Sequence, residues 1–251
     1  MKSRSNLRPF KEYTICDLLH RFVNNTKQNA MRKALLFLVS FCFFISSYAQ
    51  NERKIAIIHT NDLHSRLTGY APESGYTPLI INDDKTVGGF ARISAVIKDA
   101  KGINDGTTLV VDDGDFLMGT LFQSLEVKTG FQLGLMKKMG YDVVCIGNHE
   151  FDYGPDKLAQ IVNASVKAGE IPSLLLSNAV FDKKDSEDDL LEKAFNDNII
   201  RRKLILEKDG LKFGFFSLLG KVADENAAFA TPVTFSKQIP SAKKNCKRTS
   251  R

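Results

Sequence analysis

Three short polar strings concentrate side chains able to hold divalent metal ions. Asp62-Leu63-His64 offers a carboxylate and an imidazole on alternate residues. In extended chain alternate residues share a face, so both could reach one ion. Asp112-Asp113-Gly114-Asp115 gathers three carboxylates around a glycine. Hard divalent ions prefer such oxygens. A carboxylate can also bridge two ions about 3.5–4 Å apart, as two-metal hydrolysis requires. Asp115, past the glycine turn, is the better ligand candidate, and Asp112 and Asp113 are expected to shape the loop. Gly147-Asn148-His149-Glu150 is the most specific string. An Asn carbonyl is a neutral ligand that adds no charge to an already anionic site. His149 can then face a substrate instead of a metal, with Asp152 placed to orient its ring and raise its pKa. His59 falls inside an apolar run and is expected to be structural.

These strings need a scaffold that brings distant residues to one place. Each follows a short apolar run that reads as a buried strand: Lys54 to His59, Thr107 to Asp112 and Val143 to Ile146. Helices are expected over Phe90 to Ala100 after Gly88-Gly89, over Phe131 to Met139 closed by Gly140, and over Pro155 to Ala168 with Pro in the first turn. A fourth strand is expected at Ser173 to Leu176. The alternation of strand and helix argues for an α/β fold with a largely parallel sheet and right-handed crossovers. In such sheets ligands bind outside the carboxyl ends of the strands. That placement would let Asp62, His64, Asp115, Asn148 and His149 converge. The charged run Asp182 to Glu192 is expected to be a surface loop. Ile199 to Leu206 and Leu211 to Leu218, joined through Asp209-Gly210, are expected to form a β-hairpin.

Taken together the strings resemble the calcineurin-like metallophosphoesterases. Ile58 to His64, Gly88 to Arg92, Val111 to Asp115 and Gly147 to Asp152 narrow the resemblance to the bacterial 5′-nucleotidase branch. It runs from about Lys54 to Ile239 and implies an αββα sandwich. It makes Asp62, His64, Asp115 and Asn148 metal ligands, His149 the histidine that stabilises the transition state, and Asp152 its partner. It implies two divalent ions, of which Mn, Zn, Co or Fe would suit these donors. The implied activity is hydrolysis of phosphate esters of nucleotides by a metal-activated water. It further implies a separate nucleobase-binding domain, absent from these residues. Alternatives are a relative acting on cyclic nucleotides or sugar phosphates, and an inactive remnant or binding module.

The ends of the chain depart from this pattern. Met31-Arg32-Lys33, the apolar run Ala34 to Ser46 and Ser47-Tyr48-Ala49 have the order of a secretory signal cleaved before Gln50. The apolar core is about thirteen residues, short for a membrane span. Export to the periplasm or the extracellular space is therefore expected, with no membrane attachment after cleavage. Residues 1–30 are expected to be a non-native extension, 31–49 the signal, 50–244 the N-terminal part of the catalytic domain and 245–251 a frameshifted tail. One allowed back-translation of the tail, read one base later, gives Ile-Val-Lys-Glu-Leu and would continue an amphipathic helix. The family's later histidines have no counterpart, since none follows His149. The domain is thus expected to be incomplete at its C-terminus and impaired. The net charge of +6 is misleading, because residues 1–49 hold eight Lys/Arg against two Asp/Glu and residues 50–251 hold 27 of each. No nucleic-acid surface is indicated. With Cys145 and Cys246 alone beyond the signal, neither is a disulfide framework.

Overall fold

The computed structural model describes residues 29–34, 37, 52–69 and 86–249, with side chains as far as Cys246. The chain divides into two units, 1–52 and 53–251. Of the first, residues 29–34 and 37 are helical and exposed, so most of the expected signal lies outside the described residues. No helix among the described residues is long and apolar enough to cross a membrane.

The second unit is built on five parallel strands: β1 (Ile55–Thr60), β2 (Thr107–Asp112), β3 (Val143–Cys145), β4 (Ser173–Leu175) and the later β6 (Ile200–Arg201). They lie in the spatial order β1-β2-β3-β4-β6. Sequential order with right-handed crossovers places the connecting helices on one face. These are α1 (Phe90–Ile103), α3 (Phe131–Met139), α4 (Pro155–Ala168) and α5 (Asp189–Asn196), with the short α2 (Glu126–Thr129) leading into α3. Val110, Val144 and Leu174 of the sheet pack there against Ile97, Leu133, Met136, Leu158, Ile161 and Leu191.

Side chains alternate along a strand, so Val143 and Leu175 point to the opposite face. There they meet Leu204, Leu206 and Phe215 of the antiparallel pair β7 (Leu204–Lys208) and β8 (Leu211–Phe215). Asp209 and Gly210, both at positive φ, form the hairpin turn. Lys208 Nζ ties the hairpin to the sheet through both oxygens of Asp142, each at 2.8 Å. Helices, parallel sheet and hairpin are layers of the expected αββα sandwich. The second β layer is short. Ile55 and Ile57 of edge strand β1 remain 49 % and 64 % exposed on the hairpin's face.

Several expectations need correction. Ile199 to Leu206 is not one hairpin strand: Ile200–Arg201 pairs parallel with β4, and the chain breaks before Leu204. The run Asp182 to Glu192 is not simply a loop, because α5 starts at Asp189. Leu191, Ala194 and Phe195 recur at helical spacing and bury one face of it. Residues 245–249, within the expected frameshifted tail, continue a helix as they stand. After β5 (Ala179–Val180), α6 (Lys221–Asn226) and β9 (Thr234–Phe235), helix α7 runs Gln238–Thr249. Within it Asn245 Nδ2 donates to the Ser241 carbonyl one turn back.

Candidate functional site

β1, β2 and β3 end at Thr60, Asp112 and Cys145, and the three polar strings start there. The loops are laced together before any ligand is considered. Asp62 N–H donates to the Gly114 carbonyl at 3.1 Å, and His64 N–H to the Asp115 carbonyl at 3.0 Å. His149 N–H donates to Asp115 Oδ1 at 2.8 Å. Gly114 and Gly147 let the second and third loops touch. A Cβ on Gly114, at φ 107°, would meet Gly147 N at 2.6 Å, and one on Gly147 would collide with the Asp115 carboxylate.

Asp62 and His64 do come together, though not as alternate residues of extended chain. Both are left-handed, at φ 54° and 48°, and so is Ser65 at 51°. Such backbone costs on the order of 1–3 kcal/mol per residue and persists where its surroundings over-determine it. The turn places His64 Nε2 3.6 Å from Asp62 Oδ1. His64 Nδ1 lies 3.3 Å from the Leu117 carbonyl. With the proton on Nδ1 donated there, Nε2 presents its lone pair beside the Asp62 carboxylate, the usual outer-shell arrangement of a metal-binding imidazole. Asp115 is also left-handed. Its Oδ1 takes the His149 N–H, leaving Oδ2 for another partner.

Asn148 is 8 % exposed and precedes a single 3₁₀ turn, His149–Phe151, but its side chain makes no capping bond to it. Asn148 therefore does not serve as a helix cap. His149 and Asp152 form a dyad, with Nδ1 and Oδ2 2.7 Å apart. The hydrogen bond that Nδ1 donates to Asp152 holds the imidazole pKa above its ordinary value, opposed by partial burial and aided by the charges of Asp152, Asp115 and Glu150. The His64 and His149 rings meet edge to face, 5.0 Å between centroids, which ties the first loop to the third. Among the described residues, no three His, Cys, Asp or Glu side chains close around one point. The donors fall instead into Asp62 with His64, and Asp115 beside Asn148. Two carboxylates, an imidazole and a neutral amide suit Mn, Zn, Co or Fe.

Asp112 and Asp113 play the two parts of a turn. Asp112 is fully buried, accepts from Thr60 Oγ1 at 2.5 Å and from Gly114 N–H at 3.0 Å, and burial lifts its pKa to about 7. Asp113 is exposed, with its N–H on the Thr60 carbonyl. His59 lies on the uncovered face of β1.

Sequence reasoning gave Glu150 no role. It is 1 % exposed and accepts the N–H groups of Asp115 (3.0 Å), Leu117 (3.0 Å) and Gly147 (2.6 Å), so one carboxyl pins two loops. Burial, with the Asp115 charge, pushes it up to about 8 against those three bonds. The available signal was an acidic residue set directly before the core residue Phe151. Glu150→Ala would orphan three buried donors at roughly 1–3 kcal/mol each. Even with water partly filling the gap, denaturant unfolding is expected to show a loss of about 3 kcal/mol or more.

The Calcineurin-like phosphoesterase family matches residues 55–218. A snake venom 5′-nucleotidase from Gloydius brevicauda is 32 % identical over 142 residues, covering 56 % of this chain and 23 % of that protein. The crystal structure of a 5′-nucleotidase precursor from Thermus thermophilus superposes with a TM-score of 0.58 at 22 % identity, over 77 % of this chain and 34 % of that one. The Haemophilus influenzae NAD nucleotidase gives 0.59 at 22 % identity, over 78 % and 32 %. At these identities the solved structures speak to the fold. The chain spans about a quarter of the length of the curated relative.

Proposed function

The chain belongs to the calcineurin-like phosphoesterase family, and from that premise we propose that the whole protein is an exported hydrolase cleaving phosphate monoesters, nucleotides foremost, at two divalent ions. The observation that supports this reading is the pairing of Asp62 with His64, and of Asp115 beside Asn148, on loops bonded to one another next to a formed His149–Asp152 dyad.

Asp62 and His64 would hold one ion, Asn148 the other, and Asp115 both. Bound there, the ions would supply Lewis-acid charge and a nucleophilic water at neutral pH. The protein's own groups do the rest. Asp152 fixes His149 through Nδ1, so Nε2 is the ring atom left to face a phosphoryl oxygen or the leaving group. The charged imidazole that Asp152 favours would donate a hydrogen bond to negative charge developing there. Glu150 keeps the second and third loops in register while this happens.

The test is hydrolysis by the full-length protein in Mn²⁺, offered nucleoside monophosphates, cyclic nucleotides and sugar phosphates in parallel. Nucleoside monophosphates are expected to lead. Preference for a cyclic or sugar phosphate would replace the substrate while keeping the chemistry. Background rates with all three would leave a binding module. Export rests on the basic, apolar and small-residue order of 31–49. Mass spectrometry of secreted protein is expected to find Gln50 at the N-terminus, and a mature chain retaining 31–49 would refute cleavage.

A further inference from the structure

Ser65 directly follows His64 and belongs to no ligand set, yet it is the most heavily tied residue of its loop. Its N–H donates to the Phe116 carbonyl at 2.8 Å. Its own carbonyl accepts from Leu67 N–H at 2.9 Å and Thr120 Oγ1 at 2.6 Å. Its hydroxyl accepts from Gln132 Nε2 at 2.9 Å. Gln132 N–H in turn donates to Glu126 Oε1 at 3.2 Å. Ser65, Gln132 and Glu126 are each fully buried.

Such a polar chain inside a helix layer is costly unless every member is satisfied. Two atoms stand out: Glu126 Oε2 and Gln132 Oε1 are buried with no hydrogen-bond partner. The two side chains adjoin. Both atoms are acceptors on adjoining side chains, and either a proton on Oε2 or the Gln132 amide turned to present Nε2 there satisfies them while keeping the bond between Gln132 and Ser65. Burial favours that proton, pushing the Glu126 carboxyl up to about 7 against the bonds from Gln132. The chain then leads from α2 and α3 to the Ser65 hydroxyl, next to His64.

We propose that Gln132, backed by Glu126, is the positioning residue for Asp62 and His64: it grips Ser65 and so holds the left-handed run in the turn that brings both side chains together. The inference rests on reading Asp62 and His64 as metal ligands. The run's other anchors come from the neighbouring loop: Gly114, Asp115 and Phe116 on the backbone, the Leu117 carbonyl beside His64 Nδ1, and Thr120 Oγ1 on the Ser65 carbonyl. Gln132 is the anchor from the helix layer.

The experiment compares Gln132→Leu, Ser65→Ala and Glu126→Gln in the full chain, with Leu133→Ala as a core variant one residue away. Amide hydrogen exchange of 62–67 is followed without metal, alongside Mn²⁺ affinity and thermal unfolding. In Gln132→Leu and Ser65→Ala, exchange at positions 64 and 65 is expected to quicken at least about tenfold and Mn²⁺ affinity to fall about 10–100-fold. Glu126→Gln retains an N–H for Gln132 Oε1 and is expected to stay near wild type in both. Leu133→Ala is expected to lower the melting temperature without either change. Unaltered exchange in Gln132→Leu and Ser65→Ala, or changes tracking stability as in Leu133→Ala, would overturn the proposal. Wild-type protein that binds no Mn²⁺ would overturn the ligand reading alone, since exchange still decides whether Gln132 holds the loop.

Discussion

In the whole protein, Asp115→Ala is expected to abolish phosphatase activity and remove bound metal together, because the Asp115 carboxylate both holds the third loop and is the proposed ligand shared by two ions. Its Oδ1 holds the His149 N–H, its backbone carbonyl holds His64 N–H, and Oδ2 remains for metal. Loss of an outer-shell partner of a metal ligand costs about 10–100-fold, and loss of a ligand shared by two ions should exceed that, by about 10³-fold or more. Asp115→Asn separates the parts. Its side-chain carbonyl can still accept from His149 N–H, so the loop stays, but the bridging charge is gone. Both variants are therefore expected to lose metal, measured by elemental analysis after dialysis, while only Ala also loosens the His149 loop in amide exchange. Two ions per chain surviving in Asp115→Ala would disprove the bridge.

The second large effect concerns His149. Its Nδ1 is committed to Asp152 and it stands beside Asn148 without joining the donor set. His149→Ala is expected to lower turnover by about 10²–10⁴-fold, the usual worth of a positioned acid or charge donor, with metal stoichiometry near wild type. Metal loss in step with activity would make His149 a ligand. The pH profile gives an independent sign. Asp152 raises the His149 pKa through its hydrogen bond, so the charged form persists to higher pH. If that form assists the reaction, activity falls as pH rises through the raised value. Asp152→Asn removes the carboxylate charge, so the alkaline limb of kcat is expected to move to lower pH. A shift to higher pH, or none, would mean His149 acts uncharged.

Local chemistry made much of the framework legible. The apolar runs before Asp62, Asp112 and Cys145 are strands because β-branched residues suit a pleated sheet, covered on both faces at β2 and β3 and on one face at edge strand β1. Phe131–Met139 and Pro155–Ala168 have the bounds expected from their punctuation by glycine and proline. Strand ends follow from strand bounds, so the shared edge carrying the three polar strings could be inferred before any contact was known. The errors were also local. The spacing of Leu191, Ala194 and Phe195 announced α5, but the charge of Asp182 to Glu192 masked it. Ile200–Arg201 looked like hairpin strand because parallel pairing with β4 leaves no mark in the run itself.

What tertiary structure alone decided is how the donors are held. Residue types nominated Asp62 and His64, but extended spacing was the wrong reason for their proximity. A left-handed turn, imposed by bonds to Gly114, Asp115 and Phe116, brings them together. Glu150 closing on Leu117 N–H, and Gln132 reaching across the core to Ser65, join residues 33 and 67 positions apart. A sequence records which groups can donate or accept. Whether a buried carboxyl finds its donors depends on where the chain returns, and the cost of leaving it without them is what fixes these loops.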